Sequence, residues 1–531
     1  MTVAQRAASP ATETPAATVH AGDRAIPVAE LRHRAARAAS ALAAHGVGPG
    51  RAVALLMRND PAFLEATLAV GLLGAYAVPL NWHFTPAELA YVIGDCEAAA
   101  VVAHADLLPL LDLSALQGLG AHVVVVETPP ELRRAFELDE TACRAPAALP
   151  RWERLVAAHE PWRDAAPRGT DSVIYTSGTT GRPKGVRRQR PTAEQEQRIA
   201  EMRARVYGLV PGVRLIVPAP LYHAAPNVFS MRALQIAEAL VLMPRFDAED
   251  LLRLIEQHRA TTVVMVPTMF VRLLRLPEAV RRRYDLSSLR GIYHAAAPCP
   301  PEVKRAMIDW WGPIINEWYG TTESSVVTWV DSADWLAHPG TVGRPIDGAR
   351  VEIVGPGGTA CAPGEAGEVY VGLDFYPDFT YHRRDGDRRS IARGALISGG
   401  DIGYLDADGY LYLCDRKRDM VISGGVNIYP AEIEAALLEL PWVQDCAVIG
   451  VPDAEFGEAV LALVVLHERP AALAVDDAAR DALRAHLGAR LARYKLPRRF
   501  EFRAALPRDD AGKLLKRVLR EPYWQGQGRR V

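Results

Sequence analysis

No two of the six cysteines are spaced as C-x-x-C; Cys96, Cys143, Cys299, Cys361, Cys414 and Cys446 are scattered along 531 residues. That distribution gives no basis for a disulfide framework or a zinc site, so a reducing, cytoplasmic setting is expected. Long apolar runs are missing too, and none reaches the roughly 20 residues that a membrane-spanning helix needs. Neither sign of charge dominates: 61 basic and 63 acidic residues leave a formal net charge of −2. A nucleic-acid binder or a basic membrane-surface protein is not expected from that balance. Residues 1–20 have no hydrophobic signal core and one arginine, Arg6, which suits neither a secretory leader nor a transit peptide. Their Ala, Thr and Pro content reads as a disordered tail. No internal repeat is visible.

What is present is a chain long enough for more than one domain, with 49% hydrophobic residues to fill large cores. Helical periodicity over Glu30 to His45 stops at Gly46, a residue suited to a left-handed helix terminator. Arg51 to Met57 reads as a buried strand and Pro61 to Leu73 as the next helix. Val101 to Ala103, His122 to Glu127, Arg214 to Pro218 and Thr261 to Val266 continue as strands, with a helix near Val228 to Ala239. Short apolar strands alternating with helices argue for an α/β fold of mostly parallel, helix-flanked sheets. From about residue 340 the strands shorten and Gly/Pro turns separate them, as expected of a small antiparallel barrel or sheet. A second boundary is expected near Arg416 to Asp419. Beyond it, a helix from Pro430 to Leu440, strands and a helix from Asp476 to Tyr494 read as a small α+β domain. The expected organisation is therefore 1–20 tail, 21–415 large domain with a β-rich part over 340–415, and 416–531 small domain.

One stretch is denser in chemistry than any other. Between Tyr175 and Val186 lie five hydroxyl side chains, three glycines and Lys184. Glycines bring backbone N–H groups close to a ligand, and hydroxyls with a flexible ammonium add donors, so Thr176, Ser177, Gly178, Thr179, Thr180, Gly181 and Lys184 read as a phosphate-wrapping loop. The spacing is not G-x-x-x-x-G-K-[ST].

This stretch resembles the signature of the adenylate-forming superfamily, which includes acyl-CoA synthetases, luciferases and the adenylation domains of peptide synthetases. The resemblance runs from about Asn81 to Lys516, with later motifs in the family's order. Trp318-Tyr-Gly-Thr-Thr-Glu323 is similar to Y-G-x-T-E. The resemblance implies that Tyr319 stacks on adenine, that Gly320 and Thr321 bind the nucleotide, and that two catalytic residues follow, Thr322 touching the α-phosphate and Glu323 holding Mg²⁺. A hard cation takes carboxylate oxygen and phosphates, so one glutamate suffices. Read without the family, the same residues would begin an amphipathic helix capped by a threonine.

Tyr293-His-Ala-Ala-Ala-Pro-Cys299 resembles the small-residue turn that lies against adenine and the acyl pocket. Ala296, Ala297 and Pro298 are placed there at the nucleotide, and Ala295 stands where glycine is usual. Pro220-Leu-Tyr-His223 resembles a P-x-x-H segment beside the acyl carboxylate. With His223, the acyl pocket is expected to use Asn227, Val228, Thr268, Ala295 and Trp318. Asp401 and Asp415-Arg416 bracket a hairpin; the resemblance puts Asp415 and Arg416 at the ribose and Asp401 close by. Asp406-Ala-Asp-Gly409 lacks the rest of a calcium loop and reads as the hairpin turn.

The segment from Arg416 to Glu434 resembles the interdomain hinge. Arg418 stands at the pivot, where Asp or Lys is usual, and Gly424 and Gly425 would pass the pantetheine arm of CoA. Leu506 to Arg517 resembles P-x-x-x-x-G-K-x-x-(K/R)-R, which makes Lys513 the catalytic lysine, an ammonium between carboxylate and α-phosphate. One departure is basic: Arg187, Arg188 and Arg190 stand where relatives carry polar residues.

The resemblance thus implies a carboxylic acid–CoA ligase that uses ATP, Mg²⁺ and CoA on a fatty, alicyclic or steroid-like acid. The alternative is a stand-alone aryl or aminoacyl adenylation enzyme serving a carrier protein, although no L-G-G-x-S carrier site is present and no acid follows His223. A regulatory protein that kept the fold without catalysis is disfavoured by the presence of both Glu323 and Lys513. The sequence neither requires nor forbids a homodimer.

Overall fold

Five consecutive buried residues, Ala52–Leu56, form a strand with neighbours on both sides, which is why it reads as an uninterrupted apolar run. It sits in a four-stranded parallel sheet between Tyr76–Pro79 and Ala98–His104, with His122–Val126 beyond the latter. In this computed structural model the described residues are 17–164, 172–176, 183–416, 418–423, 426–453, 456–467, 476–508 and 514–525. The chain packs into two units: Met1–Tyr175 with Ala200–Val264 and Arg283–Arg290, and Thr176–Ile199 with Met265–Arg282 and Gly291–Val531.

Within the first unit, a helix follows the buried strand because Asp60 caps it, accepting a hydrogen bond from the Ala62 N–H at 2.8 Å, and Pro61 takes the first helical position. Arg214–Val217 pairs in parallel with Ala239–Leu242, which pairs in parallel with Thr18–Ala21. This corrects the expected tail at residues 18–20. Val19 and Ala21 are buried, and Thr18–Ala21 is paired on both edges, antiparallel to Arg24–Pro27 on the other side. The helix expected from Val228 to Ala239 instead spans Ala224–Ile236, and residues 239–242 belong to the strand that pairs with residues 18–21.

In the second unit, Gly291–His294 and Ile315–Thr321 run parallel, and Ile315–Thr321 turns back into Ser325–Val330 as a hairpin. The β-rich part is an antiparallel sheet of Ala349–Val354, Gly367–Leu373, Leu396–Leu405, Ala392–Arg393 and Leu411–Arg416. The turn at 406–409 joins two of these strands, with Gly409 at φ +81°. The C-terminal segment has a core on each face of the Val443–Asp453 and Gly457–Leu466 hairpin. Ile433, Leu437, Leu483 and Leu487 cover one face, and Leu514, Leu519 and Tyr523 pack on the other. The helix expected through Tyr494 ends at Gly488 and is followed by a 3₁₀ turn at Arg493–Lys495. Among the described residues no helix is long and apolar enough to cross a membrane.

Candidate functional site

Glu323 sits at the tip of the Ile315–Thr321/Ser325–Val330 hairpin, not on a helix. The turn is closed by side chains: the Thr321 hydroxyl oxygen accepts from the Ser324 N–H at 3.0 Å, and the Thr321 N–H donates to the Ser324 hydroxyl oxygen at 3.0 Å. Gly320 is required because a Cβ there would lie 1.8 Å from the Ser325 carbonyl oxygen. Tyr319 points inward and donates its hydroxyl to Asp401 at 2.7 Å. Arg416 pairs with the other Asp401 oxygen through Nε at 3.0 Å, from the register-matched position on the neighbouring strand. Burial, with the Asp401 carboxylate beside it, pushes the Tyr319 phenol well above its usual range. Gly399 allows this approach, since a Cβ there would come 2.7 Å from the Thr321 methyl.

The Glu323 carboxylate is held on one oxygen. Thr176 and Tyr381 both donate hydroxyls to Oε1, at 3.3 and 3.0 Å. No described residue donates to Oε2, which leaves an oxygen for a hard cation that also keeps waters or phosphate oxygens, so the donor set fits Mg²⁺. Arg188 donates to the carbonyl oxygens of Thr322 and Glu323, the latter at 2.8 Å. Lys184, expected on the phosphate loop, begins the strand Lys184–Arg188. It is 4% exposed, with its ammonium 3.0 Å from Asp387.

Around the small-residue turn, Ala295 is buried and closes the strand Gly291–His294, while Ala296 is exposed at φ +73°, the left-handed region. Ala297 is half-buried and Pro298 exposed. Beneath them lies a buried charge pair, Lys304 to Glu317 at 2.7 Å, with the fully buried His294 ring 3.6 Å from the same carboxylate. Burial, and then the Lys304 charge, hold the His294 imidazole well below its usual range, which keeps it neutral.

Asp415 is turned towards the C-terminal segment. Its two oxygens accept from the Arg416 N–H at 2.7 Å and the Ala431 N–H at 2.9 Å. Burial raises its carboxyl to about 6, against the opposing pull of Lys516. The Lys516 ammonium is 2.8 Å from Glu434, and the carboxylates of Glu434 and Asp415 outweigh burial to raise its own pKa. Arg418 offers its carbonyl oxygen to Arg520 at 2.7 Å, and Arg520 also pairs with Asp419.

The expected acyl-pocket residues divide between the units. In the first, His223 precedes the helix Ala224–Ile236 and Val228 is half-buried. The Asn227 amide accepts from the Ser172 hydroxyl at 3.1 Å and donates to the Leu221 carbonyl oxygen at 3.2 Å, a bracing role. In the second, Thr268 is the second residue of the helix Pro267–Leu274 and Trp318 is a half-buried residue of the strand Ile315–Thr321. Ser177, Gly178, Thr179, Thr180, Gly181, Gly424, Gly425 and Lys513 lie outside the described residues.

The sequence reading named Thr176 and Glu323, which are hydrogen-bonded in the second unit, and Tyr319, Asp401 and Arg416, which form a bonded chain there. It missed Tyr381 and Asp387, which belong to no motif, and left Arg188 without a partner; the unusual basic run was its one signal.

A model of the AMP-binding enzyme family matches residues 4–374, and a model of the AMP-binding enzyme C-terminal domain matches residues 432–513. A feruloyl-CoA synthase of Amycolatopsis sp is 35% identical over 516 residues, covering 96% of this chain and 96% of that protein. A long-chain-fatty-acid–CoA ligase of Mycobacterium tuberculosis is 32% identical over 495 residues, covering 93% of this chain and 92% of that one. Among solved structures, ATP-bound MatB from Rhodopseudomonas palustris superposes with a TM-score of 0.81 at 28% identity, covering 97% of each chain. The amide bond synthetase McbA from Marinactinospora thermotolerans superposes with a TM-score of 0.80 at 28% identity, covering 96% of this chain and 97% of that one.

Proposed function

Because the chain belongs to the AMP-binding enzyme family, with relatives of the acyl-CoA synthetase type, we propose that it is an ATP-dependent carboxylic acid–CoA ligase. A carboxylate oxygen attacks the α-phosphorus of ATP and pyrophosphate leaves; the CoA thiol sulfur then attacks the acyl carbon, its proton is lost and AMP leaves. The observation that supports this most is the convergence of Thr176, Tyr319, Asp401 and Arg416 with Glu323, whose carboxylate keeps one oxygen unengaged among the described residues.

Each residue has a physical task. Glu323 would hold Mg²⁺, which when bound neutralises charge on the phosphates. Thr176 and Tyr381 orient that carboxylate through Oε1. Tyr319, fixed through its hydroxyl, presents an aromatic ring for a base, and the Asp401–Arg416 pair braces the ring. Lys513 supplies an ammonium between two anions in the first step. Arg418 is the proposed pivot about which the segment 416–531 turns, and Gly424 and Gly425 would then border the pantetheine arm. Asp415 keeps its place as a ribose contact only in a pose in which Ala431 and Lys516 have withdrawn from it.

The names of two relatives, a feruloyl-CoA synthase and a long-chain-fatty-acid–CoA ligase, favour an acid with a largely apolar tail, whereas a third relative is a sulfoacetate–CoA ligase. The test is AMP and thioester formation by purified protein with ATP, Mg²⁺, CoA and a panel of aryl, alicyclic, steroid-like, medium-chain and long-chain acids. CoA-dependent AMP release with at least one acid is expected. Absence of pyrophosphate and AMP across the whole panel would sink the reading. A second reading, adenylation followed by transfer to an amine or a carrier, is favoured by the likeness to an amide bond synthetase. Pyrophosphate release that CoA does not carry through to a thioester, with amide formed from an added amine, would select it.

A further inference from the structure

We infer that Arg188 is a positioning residue for Glu323, fixing the backbone of the hairpin tip so that the carboxylate is presented to a phosphate-bound cation. One nitrogen of its guanidinium, Nη2, reaches the carbonyl oxygens of two consecutive residues, Thr322 and Glu323. The other, Nη1, donates to the Pro377 carbonyl oxygen at 3.2 Å. The guanidinium also lies over the Tyr376 ring, 4.5 Å from its centroid. A planar fork with an aromatic face beneath it loses little freedom when it forms these bonds, which a flexible ammonium cannot reproduce.

The architecture makes the fixation two-sided. Arg188 ends the strand Lys184–Arg188, which pairs antiparallel with Phe379–Tyr381, so that Phe379 lies opposite Arg188 and Tyr381 opposite Val186. From this one ribbon, Arg188 holds the Glu323 carbonyl and Tyr381 holds the Glu323 carboxylate. An arginine in a basic run that could have been a solvated surface is instead half-buried and committed to backbone oxygens. With Nη1 and Nη2 both bonded to backbone oxygens, Arg188 acts through Glu323 and not on substrate.

The inference rests on the reading that Glu323 binds the cation, and its test separates the two. Mn²⁺ uptake, followed by loss of the free-ion electron paramagnetic resonance signal, is titrated in the presence of α,β-methylene-ATP. Wild type, Arg188→Ala, Arg188→Lys and Glu323→Gln are compared, with thermal midpoints and acid KM alongside. Arg188→Ala is expected to weaken Mn²⁺ uptake by about 10-fold, the usual consequence of losing a group that orients a metal ligand. Arg188→Lys should recover only part of that loss, with acid KM unchanged in both. If Glu323→Gln loses Mn²⁺ while both Arg188 variants bind it as wild type does, the inference falls and the reading of Glu323 stands. If Glu323→Gln binds Mn²⁺ normally, that reading falls and takes the inference with it. A raised acid KM with unaltered Mn²⁺ uptake would likewise overturn the role assigned to Arg188. Should Arg188→Ala fail to fold, the Arg188→Lys titration decides alone.

Discussion

Ala296 holds a left-handed backbone conformation at φ +73° without glycine's freedom. That conformation costs an ordinary L-residue about 1–2 kcal/mol. Ala296→Gly would remove the strain but add unfolded-state entropy of about 0.5–1 kcal/mol. The balance predicts a gain of about 0.5 kcal/mol in urea unfolding for Ala296→Gly and a clear loss for Ala296→Val, whose branched side chain tolerates the region least. Tyr319→Phe deletes a hydroxyl bonded to a buried carboxylate. It should cost about 2 kcal/mol in the same assay, within the range for hydrogen bonds to charged groups. The motif residues Tyr319, Glu323, Asp401 and Arg416 were legible because their chemistry and order are distinctive. Arg188 and Tyr381 were not, because their work is done on backbone carbonyls and a carboxylate more than 50 residues away, as the separations of 58 and 135 positions from Glu323 show.

Strand-and-helix alternation was legible wherever a segment could be recognised alone, as with Ala52–Leu56 and Pro61–Leu72. Thr18–Ala21 shows the limit. Four residues carry too little periodicity to be recognised alone; one partner strand, Ala239–Leu242, lies over 200 positions away, and the other, Arg24–Pro27, is equally short. Val19 is fully buried in this strand, and Val19→Ala is expected to destabilise the protein by about 2 kcal/mol, measured by urea unfolding. The contact between the strand Leu411–Arg416 and the helix Pro430–Leu438 has its own signature in acid. Asp415 titrates near 6 when folded, above its ordinary carboxyl value of 3.8, because burial opposes its charge. Between those two pH values the folded chain holds a proton that the unfolded chain has released, so this contribution is fully present below about 4 and lost as pH rises through about 6. Asp415→Asn should therefore remove the fall in stability that this one group contributes between about pH 4 and 6, checked by comparing urea midpoints of variant and wild type at the two ends.

At the scale of the whole molecule, the proposed chemistry assigns its two steps to different placements of the segment 416–531. Lys513→Ala is expected to lower pyrophosphate release by about 10²-fold or more, in keeping with loss of a preorganised charge at the reacting centre. The same variant should still convert a supplied acyl-adenylate to its CoA thioester at close to the wild-type rate. Equal loss in both half-reactions, measured separately, would refute that division. The order of motifs from 175 to 517 made a two-step ligase legible in the sequence. Which acid enters was not, because Asn227 braces the Ser172 hydroxyl and the Leu221 carbonyl, and spacing alone does not distinguish such a brace from a substrate contact.

The missing room at Gly320 has an evolutionary corollary. In a saturation library selected for growth that depends on this ligase, position 320 should return glycine alone. A lineage seeking new substrates can therefore rework its pocket, yet it inherits the glycine at this one turn.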